Sequence, residues 1–276
     1  MRIETKSKPY SRNEVRNSVL VWLDLLGFSN MVCKSSKSEL NYLVSRLTTV
    51  LGTAKQHVLD ALAADGIVDP AWVTKSFSDN IILAYPIVNT NHFEFSHSIY
   101  MTGHYQMEMV LSGYFVRGAI AIGDTFVNDE TIISKAMLEA YEDETHRARV
   151  PRIILSNSAK AIVDDIIINK SDENNKLILA DLVEGLLVDG DGQYFINYLE
   201  IVYRNSMDAF SIEKHRSAIE GQLIRFSNAD SLVVKYAWLA SFHNYFCSRY
   251  PEFDSYKINV HCAPICNFYQ INRDFR

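Results

Sequence analysis

Residues 19–156 alternate between short apolar runs and longer helical repeats, and the order of these segments restricts the possible topologies. An apolar run at 19–24 predicts a buried strand, and apolar residues recurring at three and four from Ser38 to Ala64 predict a helix. "WVTKSFSDNIILAYP" (72–86) predicts two strands around a Ser-Asp-Asn turn. A second helix is predicted over 93–111 and a β-rich run over 114–126. This β-α-β-β-α-β order is that of the ferredoxin-like split βαβ unit. We therefore predict an α+β fold, a ferredoxin-like sheet rich in antiparallel pairs with helices on one face.

The remaining residues add further elements to this unit. A helix is predicted over 134–148 and a strand over 151–156, opened by a proline that suits the first residue of a strand. "KSDENNK" (170–176) is polar and predicts a loop, whereas 207–226 and 229–249 predict two amphipathic helices. We expect three parts: an N-terminal tail (1–17), a main domain (18–156), and a C-terminal β-loop and helical extension packed on it (157–276).

Composition excludes several classes of protein. The chain has 276 residues, of which 48% are hydrophobic and 12% aromatic, so it has enough apolar surface for a core and is not a disordered chain. Its formal net charge of −6 argues against a nucleic-acid partner. It has no apolar run of about 18 residues and no apolar signal core, so we expect a cytoplasmic protein without a membrane partner. The four scattered cysteines predict free thiols.

A single carboxylate ends the most apolar stretch, "VLVWLDLLGF" (19–28). Asp24 follows the buried strand, and burying an unpaired charge there is costly. Asp79 lies in the predicted hairpin turn, and in a split βαβ sheet the two strands are neighbours, so the two carboxylates converge at one end. The plainer interpretation also fits these residues, because an aspartate after a strand is often a helix cap and Ser-Asp-Asn is ordinary turn chemistry.

Two converging carboxylates repel one another unless a cation lies between them. Carboxylate oxygens suit Mg²⁺ or Mn²⁺, which commonly bind one or two carboxylates together with substrate phosphates. The backbone N–H groups of the segment after Asp24, "LLGFS", are candidates for holding a triphosphate.

Three segments together resemble the catalytic domain of the class III nucleotidyl cyclases: "LDLLGFS", "KSFSDNIIL" and "VRGAIAIG". That family has an aspartate before a Gly-Phe turn and a lysine four residues before a second aspartate in a hairpin. An arginine six residues before a glycine follows on the fourth strand. Asp24, Lys75, Asp79, Arg117 and Gly123 fall on these positions.

Later segments are similar to the bacterial pyrimidine (uridylate and cytidylate) cyclases of anti-phage signalling. These are "SKAMLEAYEDE", "RVPRIILS", "DGDGQYFINYL" and "KYAWLASFHN", and the resemblance spans roughly 18–245. It implies a nucleotide cyclase that converts UTP or CTP to the 3′,5′-cyclic monophosphate and pyrophosphate. It further implies a second messenger in antiviral defence, a separate effector that binds the cyclic nucleotide, and a head-to-tail homodimer.

The resemblance also implies a role for each site residue. Asp24 and Asp79, with the Leu25 backbone carbonyl, would hold two divalent ions, Mn²⁺ or Mg²⁺, per site. Arg117 would contact a phosphate, for which a charge-assisted guanidinium fork is suited. Phe28 would pack near the ribose or the triphosphate, and Lys75 would occupy the position that reads the base.

Two departures from the family pattern bear on activity. We expect Arg or Tyr at the base-reading position of a pyrimidine cyclase, and lysine donates equally well to a pyrimidine or a purine. Purine cyclases have an asparagine and an arginine on the helix after the fourth strand, and Ser134 and Leu138 stand there in this chain. Four nearby cations are candidate replacements or simply solvated helix-end charges. They are Lys135, Arg147, Arg149 and Arg152.

Two alternative functions follow from these departures. The absence of the asparagine and the arginine at positions 134 and 138 fits a catalytically inactive cyclase-homology module that binds nucleotide or a partner protein. A purine cyclase that reads its base with Lys75 is the other alternative. The aspartate that accompanies such a lysine would fall at Val127, which counts against it.

Overall fold

The computed structural model describes residues 14–64, 72–87, 92–128, 130–206, 208–259 and 266–271. The strands are β1 (Arg16–Leu25), β2 (Val73–Phe77), β3 (Asn80–Pro86), β4 (Val116–Val127), β5 (Ile132–Ser134), β6 (Ile153–Leu155), β7 (Leu186–Val188), β8 (Tyr194–Ile196) and β9 (Tyr269–Gln270). The helices are α1 (Phe28–Cys33), α2 (Lys37–Ala64), α3 (Phe93–Leu111), α4 (Lys135–His146), α5 (Asn157–Ile168), α6 (Glu173–Gly185), α7 (Tyr198–Ser206), α8 (Ala209–Arg225) and α9 (Asp230–Arg249), with a 3₁₀ helix at Pro251–Tyr256.

The first four strands form the predicted ferredoxin-like sheet. Their order is β2-β3-β1-β4, and each neighbouring pair is antiparallel. The central strand β1 is buried from Ser18 to Leu23 because it has a partner on each side and helices above and below. The predicted α+β class is confirmed, and α2 and α3 begin and end within one residue of the predicted helices.

Helices cover both faces of the sheet. The crossover helices α2 and α3 contact each other, and α2 lies over the face that carries Leu25 and Ile81. On the other face α4 lies against β4, where a Cβ at Gly123 would come within 3.2 Å of the Ala136 backbone nitrogen. The prediction of helices on one face therefore holds for the crossover pair alone, and α4 is an addition on the opposite side.

The C-terminal part extends the same sheet. Strand β6 pairs in parallel with β4, and β8, β7 and β9 follow outward in that order. The predicted helices near 207–226 and 229–249 are confirmed as α8 and α9. The prediction of a loop over 170–176 is wrong in part, because α6 begins at Glu173. Helices α5, α6 and α7 were not predicted.

A buried charge cluster joins this extension to the first sheet. Arg152, 2% exposed, precedes β6 and pairs with Asp189 and Asp191 of the "DGDG" turn. Trp238 on α9 donates its indole N–H to Asp189 Oδ2 at 2.8 Å. The two sequence segments "PRIIL" and "DGDGQYF" are thus parts of one anchor that fixes α9 against the sheet.

Two further expectations concern membrane-spanning helices and the state of the cysteines. Across the residues that the structure describes, no helix is long and apolar enough to cross a membrane. Cys33, Cys247 and Cys266 are free thiols, and Cys262 lies outside the described residues, as do positions 1–13 of the expected N-terminal tail.

Candidate active site

Asp24 lies at the end of β1, between two strands. It is directly opposite Asn80 on β3 and Arg117 on β4, and opposite residues of an antiparallel pair point to the same face. Its side chain is 18% exposed. The alternation that buries Leu23 on the α2 face therefore turns the Asp24 carboxylate toward the α4 face. It lies where the strands end, and solvent can enter there. We call this end of the strands the sheet edge.

The hairpin turn brings Asp79 to the same edge. The Leu25 backbone N–H donates to the Asp79 carbonyl oxygen at 2.9 Å, which ties the turn to the end of β1. Asn80 Nδ2 donates to Asp79 Oδ1 at 3.1 Å and orients the carboxylate. Burial raises the pKa of Asp24, and the negative charge of Asp79 adds to that rise. The two aspartates are thus close enough to interact, as the hairpin topology predicts, and their role as metal ligands stays a prediction.

Arg117 connects Asp24 to a third carboxylate. Its Nε donates to Asp24 Oδ2 at 2.9 Å, and its Nη2 forms an ion pair with Glu144 Oε1 at 2.8 Å. Glu144 lies near the end of α4 with a side chain only 6% exposed. In this structure Arg117 therefore pairs with two carboxylates of its own chain, and contact with a phosphate uses its other N–H groups or replaces one of these partners.

Five charges share this end of the sheet. Burial raises the pKa of Asp24, with the repulsion from Asp79 adding to it and Arg117 opposing it. Burial likewise raises the pKa of Glu144, and burial together with Arg117 lowers the pKa of Lys235 on α9. With all groups ionised, three carboxylates face two cations, so one negative charge is in excess and the site attracts a further cation.

Glu144 and Lys235 are the two members of this group that the sequence interpretation missed. Glu144 had a signal: Ala136, Ala140 and Glu144 are spaced by four residues and form the buried stripe of α4. An acidic residue in such a stripe needs a buried partner. Lys235 interrupts the apolar run "LVVKYAWL" and comes from a segment far along the chain, so no local pattern relates it to Asp24.

Lys75 and Phe28 lie on different sides of the sheet edge. Lys75 is opposite Ile82, which is opposite Trp22, so Lys75 shares the face of Asp24. Phe28 follows Gly27, whose positive φ of 81° starts the six-residue helix α1. It lines a cavity of about 210 Å³ with Leu25 and apolar residues of α2. That volume is below the roughly 300 Å³ at which ligand pockets begin, and its apolar lining does not suit phosphates.

The residues at the two departing positions do not reach Asp24. Ser134 caps α4 by accepting a hydrogen bond from the Met137 N–H, and Leu138 is 62% exposed. These residues begin the helix that ends near Glu144, about three turns away.

The four candidate cations all have partners elsewhere. Lys135 contacts Asp124, Arg147 contacts Asp143 and Gln193, Arg149 donates to the His146 carbonyl, and Arg152 belongs to the anchor described above.

The donor set at the sheet edge fits a divalent cation of the Mg²⁺ class. Within the described ranges, no group of three or more His, Cys, Asp or Glu side chains forms a metal site made by protein alone. Mg²⁺, however, commonly takes one or two carboxylates and completes its shell with water and substrate phosphates. Asp24 and Asp79 supply two carboxylates, and the excess negative charge of the cluster favours a cation there.

No family model and no curated protein matches the chain. Among solved structures it is similar to the guanylyl cyclase Cya2, with 9% identity and a TM-score of 0.37 over 55% of this chain and 80% of that one. It is also similar to the monomeric guanylyl cyclase domain of the RhoGC fusion protein from the aquatic fungus Blastocladiella emersonii. That match has 12% identity and a TM-score of 0.40 over 67% of this chain and 96% of that one.

A third similar structure is a class III adenylyl cyclase-like ATP-binding protein from Pseudomonas aeruginosa. The identity is 9% and the TM-score 0.41, over 70% of this chain and 41% of that one. These likenesses are distant in both sequence and structure.

Proposed function

We propose that this protein is a divalent-metal-dependent nucleotide cyclase that converts a nucleoside triphosphate to its 3′,5′-cyclic monophosphate and pyrophosphate. The observation that carries the proposal is the convergence of Asp24 and Asp79 at one edge of a βαββαβ sheet, with Arg117 in contact with Asp24. Two carboxylates and an arginine are the groups that metal-assisted phosphoryl transfer needs.

Each residue has a defined task in this reaction. Asp24 and Asp79, aided by the Leu25 carbonyl, would hold two Mn²⁺ or Mg²⁺ ions. When bound, these ions lower the proton affinity of the ribose 3′-hydroxyl and neutralise charge on the α-phosphate. Arg117 exchanges a carboxylate for a phosphate oxygen. The 3′-oxygen then bonds to the α-phosphorus, its proton passes to water, and the bond to pyrophosphate breaks.

The substrate is UTP or CTP in this proposal, on the strength of the sequence resemblance to the pyrimidine cyclases. Lys75 lies on the face of Asp24 and donates to the base, whereas Phe28 would have to leave the apolar cavity on the α2 side to pack beside the ribose or triphosphate. The cyclic product then serves as a cytoplasmic second messenger in anti-phage defence and is bound by a separate effector.

A head-to-tail homodimer completes the site in this proposal. The cavity beside Phe28 is too small and too apolar for a nucleotide. The family positions that stabilise the transition state are Ser134 and Leu138 here, and they lie at the start of α4, remote from Asp24 of the same chain. In the dimer, the α4 start of a second copy would face Asp24 instead. Three exposed apolar side chains surround this end of α4 and support an interface. They are Val15, Ile133 and Leu138, at 61%, 66% and 62% exposure.

The second candidate is a catalytically inactive module that binds nucleotide or a partner protein. It is favoured by the pairing of Arg117 with Asp24 and Glu144, and by Ser134 serving as a helix cap. A nucleoside triphosphate would then raise the melting temperature without any cyclic product.

Incubation with each of the four nucleoside triphosphates and Mn²⁺, followed by mass spectrometry, tests the proposal. A cyclic pyrimidine nucleotide is expected from the wild type, with at least a thousandfold loss in Asp24→Ala and Asp79→Ala. Asp60→Ala, an exposed aspartate on α2, is the matched control and should retain full activity. Absence of cyclic product from all four substrates would refute a cyclase. An active Asp79→Ala variant would refute the two-carboxylate metal site.

A further inference from the structure

Arg117 holds two carboxylates at once, and they come from different elements. Its Nε contacts Asp24 at the end of β1, and its Nη2 contacts Glu144 on α4. A guanidinium has five N–H donors in a rigid fork and serves two partners without changing its own position. Asp24 and Glu144 are therefore joined through one cation.

The proposed metal site conflicts with this arrangement. Asp24 Oδ2 accepts the Arg117 hydrogen bond, and a metal ion on the other oxygen, Oδ1, would share the charge of the same carboxylate with the guanidinium. Two cations at one carboxylate repel each other, so loading of the site moves Arg117 away from Asp24. The half-buried guanidinium, 24% exposed, would then lose one of its two charged partners.

Glu144 is the charged partner that remains with Arg117. It is nearly fully buried, and α4 holds it in place because Ala136 and Ala140 on the same stripe pack without exposure against the sheet. The carboxylate therefore stays where it is when Asp24 changes partner. Arg117 keeps one charged partner throughout, while its remaining N–H groups become available to a phosphate.

We infer that Glu144 is a positioning residue that retains Arg117 while Asp24 exchanges the guanidinium for a divalent cation. This rests on the proposed function for the identity of the metal site, but concerns a residue outside the two aspartates. It follows that Glu144 sets the divalent-cation concentration at which Asp24 becomes available, and that it acts through Arg117 without touching the substrate.

The test is a Mn²⁺ titration of the full chain followed by electron paramagnetic resonance of free Mn²⁺. It is run with the metal alone and with 3′-deoxy-UTP, which cannot cyclise. Glu144→Gln keeps the size of the side chain and removes its charge. Because Glu144→Gln removes the charge that forms the ion pair with Arg117, the guanidinium stays with Asp24, and the half-saturating Mn²⁺ concentration should rise about tenfold. Glu142→Gln, on the exposed side of the same helix, should stay within about twofold of the wild type.

A second variant keeps the inference testable if Glu144→Gln fails to fold. Glu144→Asp retains the charge at a shorter reach, and its half-saturating Mn²⁺ concentration should lie between those of the wild type and a tenfold rise. In an Arg117→Gln background, Glu144→Gln should cause no further change, because the two residues act as one unit.

Unchanged Mn²⁺ binding in folded Glu144→Gln or Glu144→Asp would overturn the inference, even if the melting temperature fell. So would a shift that persists without Arg117. These outcomes do not depend on turnover. A wild type that makes no cyclic product but shows the Glu144 shift would refute the cyclase and support the positioning role. Cyclic product from a wild type whose Mn²⁺ binding is unchanged by Glu144→Gln would support the cyclase and refute the positioning role.

Discussion

Acidification from pH 7.5 to 5.5 should destabilise the C-terminal helices through two buried histidines. Tyr198 donates its hydroxyl to His215 Nε2 at 2.8 Å, and the two Nδ1 atoms of His215 and His243 are 2.9 Å apart. His243 Nε2 lies 3.0 Å from the Tyr256 carbonyl oxygen and must donate to it. His243 Nδ1 is then an acceptor and His215 Nδ1 the donor. Every ring nitrogen is satisfied with both rings neutral, so an added proton breaks the chain of bonds.

The magnitude follows from linkage between protonation and folding. Burial lowers the pKa of His215 well below 6.5, and burial also lowers that of His243, against the opposing effect of the Tyr256 contact. For a histidine with a depressed pKa in the folded state, the free energy of unfolding is unaffected above about pH 6.5 and decreases as the pH falls below it. At pH 5.5 an unfolded histidine is about 90% protonated, so each residue that stays neutral in the fold costs about 1.4 kcal/mol. The pair therefore costs about 1.4–2.8 kcal/mol.

Urea unfolding at the two pH values measures this loss. His215→Gln should lose about 1.4 kcal/mol less than the wild type over the same interval, whereas His146→Gln, an exposed histidine on α4, should follow the wild type. The same loss in His215→Gln and wild type would refute the assignment of the acid sensitivity to this pair.

Two further variants probe the charge cluster and the anchor. Lys235→Met removes one of two cations near Asp24, so Mn²⁺ should bind more tightly. The half-saturating Mn²⁺ concentration, measured by electron paramagnetic resonance, should fall two- to fivefold. Because Lys235 also lowers the pKa of Asp24, which must be ionised to bind metal, the acid limb of kcat/KM should move to higher pH in this variant. Arg152→Ala leaves the buried Asp189 without its cationic partner and should lower the free energy of unfolding by about 3–5 kcal/mol in urea titrations. Arg149→Ala, at an exposed position, should change it by less than about 0.5 kcal/mol. Equal losses in the two arginine variants would contradict the anchor.

The first sheet was predictable because its signals are local and strong. The apolar run of β1, the turn at Ser78 and Asp79, and the long repeats of α2 and α3 each span enough residues to show a period. Once the order of elements indicates a split βαβ unit, the position of Asp79 beside the end of β1 follows from topology alone.

The C-terminal elements carry weaker signals. Strands β7 and β8 have three residues each, too few to show alternation; they pair with each other, and β8 also pairs with β6 and β7 with β9, which are distant in sequence. Helix α6 begins within "KSDENNK", whose Asn and Lys residues predict a loop, because Asp172 ends the preceding turn and accepts from the Asn175 N–H. Distant strand pairing decides β7 and β8, whereas the start of α6 depends on the local contact of Asp172.

The candidate site was predictable only in part, for a related reason. Asp24, Asp79 and Arg117 lie on neighbouring strands of one unit, so a sequence pattern can relate them. Glu144 and Lys235 lie on helices that pack onto the sheet from outside that unit, so the ion pair of Glu144 and the position of the Lys235 charge depend on how α4 and α9 pack.

The stoichiometry of the products tests the central claim most directly. Wild-type protein with Mn²⁺ and UTP or CTP should form cyclic nucleotide and pyrophosphate in equal amounts, and Asp79→Ala should form neither. Pyrophosphate released with a linear monophosphate in place of the cyclic product would contradict the account, because the 3′-hydroxyl would then not be the attacking group.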